Sequence, residues 1–431
     1  MRPSHENPFK ELKRFQKHNE LCMKCGFCMS ACPTYREELV ESSVARGRNA
    51  MVKGLINGDM EFTPEMEERL DKCTLCKSCT FVCPAKVDIP SVVIAARADK
   101  FRKLGLKFPY NVAYRSNLPR RVLFGRVVKA AGFAQKLFFP KAEGTMRHLP
   151  NFLEAFLNNK GRRIPQVAPK FLRQLVPVVN SPPPCVPTKF RVGYMTGCIT
   201  DYVYPELGKK VIAFLTRNGV EVIVPRGQGC CGAPVYMGAG DFVTGRKMAD
   251  TNVAAFKDLD YVIVDCATCG SSMKDYGKYL AETPARTKAY ADFEKKLIHI
   301  TAFLVDVLKL PTEAYKAVPS VKGKTITWHD PCHLVRHLEV RDQPRAILRS
   351  IKDINFVDMQ EADKCCGMAG GFSLHYYELS SKIADRKYQN IANSKADIVV
   401  TGCPGCEIQL KDTLARHGSQ AQVMHIMELF E

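Results

Sequence analysis

Residues 227–236 read GQGCCGAPVY, and residues 364–367 repeat their centre as KCCG. Adjacent Cα atoms stand about 3.8 Å apart, less than the roughly 4.4–6.8 Å of an unstrained disulfide. A bond within Cys230–Cys231 would therefore be strained, and one isolated pair reads equally well as two small apolar residues in a packed turn. The surroundings of the two pairs weigh against packing alone. KFRVGYMTGC (189–198) matches KTITWHDPCH (324–333), each an apolar strand running into a cysteine. VEVIVPRGQGCCG (220–232) matches INFVDMQEADKCCG (354–367), and LDYVIVDCATCG (259–270) matches ADIVVTGCPGCE (396–407). KLIHITAFL (296–304) has an echo in VMHIMELF (423–430). Equivalent cysteines are offset by 134, 135, 135, 137 and 137 residues. One α/β unit is written twice, with 281–293 as an insertion in the first copy.

Helical segments such as ELGKKVIAFLTRNG and QPRAILRSIKD separate the strands, which argues βαβ units and parallel sheets. Ligands of such folds collect beyond the carboxyl ends of the strands. The expected strand ends carry Cys198, Cys230, Cys231, Cys266 and Cys269 in the first copy. In the second they carry Cys332, Cys365, Cys366, Cys403 and Cys406. Five thiols at three strand ends, with glycines that let backbone approach closely, make a metal nest.

Upstream, CMKCGFCMSACP (22–33) and CTLCKSCTFVCP (73–84) both follow C-x2-C-x2-C-x3-C-P, the run that ligates [4Fe–4S] clusters in two-cluster ferredoxins. Structural zinc sites pair shorter Cys or His clips. In such runs the fourth cysteine ligates the other cluster. Cys22, Cys25, Cys28 and Cys83 are thus expected to hold one cluster, and Cys73, Cys76, Cys79 and Cys32 the other. The segment between the runs reads as helical: VARGRNAMVKGLING stops at Gly58, and Thr63-Pro64 opens PEMEERLDKC. This is the helical variety of two-cluster ferredoxin. Arg46 and Arg48 are either cluster neighbours or helix-surface charges.

The 431 residues allow about three domains at roughly 150 residues each. Apolar content of 46% with 25% charged residues excludes a disordered chain. The opening MRPSHENPFKELKRF lacks an apolar h-region, and no apolar run reaches 18 residues. Nineteen cysteines without an export signal point to metal rather than disulfides. The cytoplasm is the expected compartment, with a peripheral place on the cytoplasmic face of the inner membrane left open. Of the net charge of +19, +15 lies between Lys100 and Arg173. There Arg121–Phe138 reads as an amphipathic helix. Arg121, Arg126, Lys129 and Lys136 share one face, and Leu123, Phe124, Val127, Ala131, Ala134 and Phe138 lie mostly opposite. Such a helix suits a membrane surface, an acidic partner protein, or simple packing on its own domain. No recognisable nucleic-acid module accompanies the charge, so no nucleic acid is expected as a partner. Cys185, in the loop NSPPPCVPTK, reads as an unligated thiol. The expected organisation is α+β and multidomain. A helical ferredoxin domain (1–100) and a basic, partly helical connector (101–188) precede the two α/β repeats (189–310 and 311–431).

The spacings C-x31-C-C-x34-C-x2-C and C-x32-C-C-x36-C-x2-C resemble the paired CCG motifs of heterodisulfide reductase. They also resemble those of the iron–sulfur subunits of glycolate, lactate and anaerobic glycerol-3-phosphate dehydrogenases. The resemblance implies that each complete motif binds a [4Fe–4S] cluster, which heterodisulfide reductases hold in a non-cubane form with the vicinal cysteines among the ligands. The 36-residue gap of the second motif is longer than usual. WHDPCHLVRH places His329, Asp330, His333 and His337 beside Cys332, either as a proton relay or around a helix N-capped by Asp330.

No G-x-G-x-x-G follows a strand, and GDFVTGRK (240–247) resembles a P-loop only until Arg246. The chain offers thiols for iron and little machinery for carbon chemistry. Oxidation of a 2-hydroxy acid releases two electrons, so a partner carrying FAD would take the pair and pass single electrons on. The resemblance implies an oxidoreductase subunit that moves electrons from that flavoprotein to a quinone or other carrier, with lactate or glycolate oxidised on the partner. The alternative is a heterodisulfide-reductase-like subunit that reduces a disulfide at its own non-cubane cluster. A cluster-bearing scaffold or redox sensor is a third class.

Overall fold

The computed structural model describes residues 9–106, 108–142, 144, 146–151, 153–154 and 159–431. Residues 1–8, part of the stretch read above for a leader, lie outside them. The segment between the N-terminal cysteine runs is helical as expected. Ala45–Asn57 ends at Gly58, whose φ of 82° is the left-handed stop that glycine adopts without penalty. Pro64–Asp71 starts at Thr63, whose hydroxyl accepts from the Met66 amide at 3.3 Å. The helix Ile89–Leu104 follows the second run and is buried along most of its length. That is why its apolar residues run all round it rather than down one stripe. Its Asp99 accepts from the Glu11 and Leu12 amides at 3.1 and 2.8 Å, tying the N-terminal segment to this central post.

Three sheets follow among the described residues. In the connector, β1 (Met146–His148) and β2 (Arg163–Pro165) pair antiparallel. The first repeat contains β4 (Phe190–Met195), β5 (Val220–Ile223), β6 (Tyr261–Val264) and β7 (Leu297–His299), all parallel, in the order β5-β4-β6-β7. The connector adds β3 (Val179–Asn180) antiparallel beside β5. The second repeat contains β8 (Thr325–His329), β9 (Asn355–Phe356), β10 (Ile398–Thr401) and β11 (Gln422–His425), parallel in the order β9-β8-β10-β11. The two orders are the same, so the duplication written in the cysteine offsets is also one of topology. Strands buried on both faces explain the near-continuous Val and Ile runs. The segment read as an insertion carries an additional helix, Pro284–Lys296.

The helix Arg121–Phe138 forms with the expected bounds but with a different facing. Arg121 is buried, and Gly125 and Gly132 lie on the packed side. A Cβ on Gly132 would stand 2.9 Å from Val167. The exposed side mixes Arg126, Lys129 and Lys136 with Val122, Phe133 and Leu137, the first of these apolar residues 74% exposed. Val127 and Phe138, expected on the apolar face, are exposed too. The reason is local: two glycines permit a close approach that the apolar residues of the opposite side do not. GDFVTGRK is a helix start, with Asp241 accepting from the Thr244 amide at 2.9 Å.

Candidate metal centres

Each cysteine named from the sequence can be placed. One cavity is lined by Cys22, Cys25, Cys28, Cys79 and Cys83. A neighbouring one is lined by Cys32, Cys73, Cys76 and Cys79. Arg46 reaches across the first loop to the Lys24 carbonyl at 3.3 Å. Arg48 is buried beside Cys32, its Nη1 4.0 Å from the sulfur and its Nε donating to the Arg69 carbonyl at 2.7 Å. Both arginines therefore face cysteine loops. Cys185 is exposed.

In the first repeat, Cys198 opens a short helix directly after β4, and Cys230 and Cys231 lie in the loop after β5. Cys266 and Cys269 lie at the start of the helix after β6. The thiols of Cys198 and Cys230 lie side by side and perturb each other, as do those of Cys231 and Cys269. The second repeat copies this: Cys332 lies beside Cys365, and Cys366 beside Cys406. Its longer gap is taken up by the 18-residue helix Tyr377–Ser394, where the first repeat has the 14-residue Phe242–Ala255. The glycine after each vicinal pair has a left-handed φ, 82° at Gly232 and 91° at Gly367. The amide of each of these glycines donates to the first sulfur of the pair, at 3.5 and 3.3 Å.

The four groups of thiols form one file. Cys79 stands close enough to Cys28 and Cys32 to feel their charge, and Cys76 to feel Cys365. Cys266 and Cys403 bring the two repeats together, their sulfurs 3.9 Å apart. A feature that sequence reasoning left without a role holds this junction. His299, at the end of β7, donates from Nε2 to the Gly402 carbonyl at 3.0 Å. His425, at the end of β11, donates to the Asp265 carbonyl at 2.9 Å. Each histidine thus grips the residue preceding the other repeat's cysteine, and the echo of KLIHITAFL in VMHIMELF was its only signal.

Around Cys332 the residues divide by function. Asp330 does not cap the following helix, whose N-cap is Pro331. It accepts instead from Trp328 Nε1 at 2.7 Å and from Arg345 at 3.0 and 2.7 Å, because a cation 15 residues away outcompetes a backbone amide for a buried carboxylate. His333 and His337 stack at 4.3 Å, and His337 donates to the Leu75 carbonyl inside the second ferredoxin run at 3.1 Å. Arg336 was not singled out from sequence. It is buried beside Cys76 and Cys332, and its Nε and Nη1 have no partner among the described residues. At the head of the connector helix, Arg121 donates to the Gly229 carbonyl at 2.9 Å and to Asp201 at 3.0 Å, fixing the loop that carries Cys230.

The electrostatics test whether such a nest fits iron and sulfide. Burial, then Cys76, Cys73, Cys32 and Cys28, push the Cys79 thiol far above its ordinary range. The neighbouring Cys230 thiol and then burial do the same at Cys198, as the neighbouring Cys366 and Cys403 thiols do at Cys406. Sulfurs crowded in this way cannot ionise together in a dry site. A bound cation converts the same crowding into ligation and releases the protons. A soft, all-thiol donor set suits iron–sulfur chemistry.

Comparison with known proteins agrees. The 4Fe-4S dicluster domain model matches residues 18–87, and the cysteine-rich CCG domain model matches twice, at 192–274 and 326–411. The probable glycolate oxidase iron-sulfur subunit of Bacillus subtilis (strain 168) is 31% identical over 441 residues, covering 98% of this chain and 96% of that protein. The chain belongs to that family of iron–sulfur subunits. Lactate utilization protein A of Oceanobacillus iheyensis is 33% identical over 239 residues, 56% of this chain and 96% of the relative. One subunit of the fumarate reductase (CoM/CoB) of Methanothermobacter marburgensis is 28% identical, covering 95% of this chain and 71% of that protein. The crystal structure of a hypothetical protein from Helicobacter pylori shares the fold, with a TM-score of 0.50 at 10% identity, covering 98% of this chain and 71% of that one. The protein is thus an iron–sulfur oxidoreductase subunit with α+β multidomain architecture. Among the described residues no helix is long and apolar enough to cross a membrane.

Proposed function

We propose that this chain carries single electrons from an FAD-bearing dehydrogenase subunit, which oxidises lactate or glycolate, to a quinone or other carrier. The observation that carries the reading is the unbroken file of thiols from the Cys22 loop to Cys198, in a chain matched along nearly its whole length by a glycolate oxidase iron-sulfur subunit. The proposed ligand sets are Cys22, Cys25, Cys28 and Cys83, and Cys73, Cys76, Cys79 and Cys32. Two more come from Cys198, Cys230, Cys231, Cys266 and Cys269, and from Cys332, Cys365, Cys366, Cys403 and Cys406. Clusters bound there supply one-electron chemistry. The residues of the chain hold the sulfurs, bury those of both vicinal pairs, and aim the Gly232 and Gly367 amides and the Arg48 and Arg336 guanidiniums at them. Hydrogen bonds to sulfur set cluster potentials.

The proposed domain division is 1–100, 101–188, 189–310 and 311–431. The mixed basic and apolar side of the Arg121–Phe138 helix supports peripheral attachment to an anionic membrane surface or to a membrane-bound partner. Anaerobic purification from the native host tests the main reading. An FAD protein in stoichiometric association, reducing dye with lactate or glycolate, supports it; a haem-bearing membrane partner without flavin sinks it. One observation favours a second reading, disulfide reduction at the second repeat. A cavity reaches Cys365 past the cations Arg36, Lys364, Arg386 and Lys387 and the acids Glu37 and Glu361, a lining with an excess of positive charge suited to an anionic disulfide. Disulfide-dependent oxidation of a reduced dye by the isolated chain would decide for it.

A further inference from the structure

The two repeats share topology and thiols but differ at one buried position. β4 and β8 are equivalent strands. Met195, the last residue of β4, stands opposite Val264 of β6, and His329, the last residue of β8, stands opposite Thr401 of β10. Both positions are closed to solvent, Met195 at 1% and His329 at 0% exposure. Burying an imidazole with neither ring nitrogen satisfied is costly, yet neither Nδ1 nor Nε2 of His329 reaches a partner in hydrogen-bonding geometry among the described residues, and the nearby Ala362 carbonyl already accepts from the Asp330 amide at 3.1 Å and from Lys387 at 3.2 Å. The ring is aimed at sulfur. One of its nitrogens and the sulfurs of Cys366 and Cys406 all lie within 4.8 Å of one another. The other buried histidines of this region are committed: His299 and His425 to carbonyls of the opposite repeat, His333 to Ser271 and His337 to Leu75.

We infer that His329 is a nitrogen ligand to the iron of the second repeat, which makes that centre mixed imidazole–thiolate while the first, with Met195 in the same place, is all-thiolate. This rests on the proposal that each repeat holds an iron–sulfur cluster. The imidazole adds a neutral nitrogen donor to a site that keeps the same five cysteines as the first repeat, so the two centres differ in donor set and, with it, in reduction potential. The duplicated unit thereby yields two chemically distinct electron sites 3.9 Å apart at their nearest sulfurs.

The test is pulsed electron paramagnetic resonance of the anaerobically purified full chain, grown with 14N- or 15N-histidine, after oxidation and after dithionite reduction. Alongside it, iron is counted per chain. A strongly coupled, isotope-shifted nitrogen of a directly bound imidazole is expected, and its loss in His329→Met. That variant installs the residue the first repeat already accommodates at this place, and its midpoint potential should shift for one centre only. Full iron content without any bound histidine nitrogen overturns the inference while leaving the cluster proposal intact, as does a coupling that survives in His329→Met. Iron sufficient only for the ferredoxin runs and the first repeat overturns the underlying proposal as well. The nitrogen signal is read first in the unsubstituted protein, so a poorly folding variant does not protect the idea. His329→Cys is the second variant: it should keep the iron and lose the nitrogen coupling.

Discussion

Arg97 offers a direct measure of how firmly the ferredoxin part is joined to the first repeat. Its guanidinium is buried and donates to four carbonyls: Met237 at 3.0 Å, Leu70 at 2.8 Å, and Asp71 and Cys73 at 3.0 Å each. Met237 lies just past the Cys231 loop, and Cys73 begins the second ferredoxin run, so one side chain spans both. Arg97→Met keeps the apolar stem and removes the fork. The Met237 and Leu70 carbonyls are then left dry, at about 1–3 kcal/mol apiece. The other two are half-open and recover water at little cost. The expected loss is about 3 kcal/mol, which corresponds to a Tm lower by about 6–12 °C for a unit of 150–250 residues. Calorimetry of the iron-loaded chain under anaerobic conditions measures it, and separation of a single transition into two would report the loosened junction. A Tm within about 2 °C of the parent, with unchanged iron content, would falsify the view that this fork joins the two parts.

Gly367→Ala places a Cβ 2.5 Å from the Ser380 carbonyl on a backbone with φ of 91°. A cost of at least about 2 kcal/mol is expected, with less iron per chain; retention of full iron at unchanged Tm would refute the strain. Asp99 has its carboxyl pushed up to about 6, first by burial, above the 3.8 of the unfolded chain. The folded protein therefore binds the extra proton between pH 3.8 and about 6. Its stability relative to Asp99→Asn should fall as pH rises through that window and level off above it, and parallel denaturant titrations at several pH values would show a flat difference if the shift is absent. For the connector helix, Arg126→Gln, Lys129→Gln and Lys136→Gln together should weaken sedimentation with anionic vesicles at low salt by about 100-fold, at roughly 1 kcal/mol per charge. Unchanged binding would remove the lipid interpretation.

Whatever depended on short spacing was legible in the sequence. The two cysteine runs, the Gly58 stop, the Thr63 cap and the repeated strand–cysteine units are local patterns, and chain geometry alone brings their members together. Residues committed to distant partners were not legible in the same way. Arg121 sits among basics that look solvated, yet its partners Thr196, Asp201 and Gly229 are 75 to 108 residues away. Asp330 follows a helix-capping pattern until Arg345 folds back on it. The contact of Cys266 with Cys403 joins halves 137 residues apart, and no periodicity in either half announces it. His329 was visible as an ionisable residue near a cysteine. Only the register of β8 against β10 separates it from its neighbours in WHDPCHLVRH.

The reciprocal grip of His299 and His425 has an ancestry implied in it. A contact in which each half offers the same residue to the same place on the other is the signature of an isologous interface between identical subunits. The two repeats meet as such a pair would, but on one chain. Between identical subunits, any substitution beside the metal appears at both sites at once. Fusion lifts that restriction, so histidine at one strand end and methionine at the other can be selected independently. On the proposed assignment of iron to both repeats and of His329 to one, a symmetric pair of equal sites thereby becomes a conductor with direction.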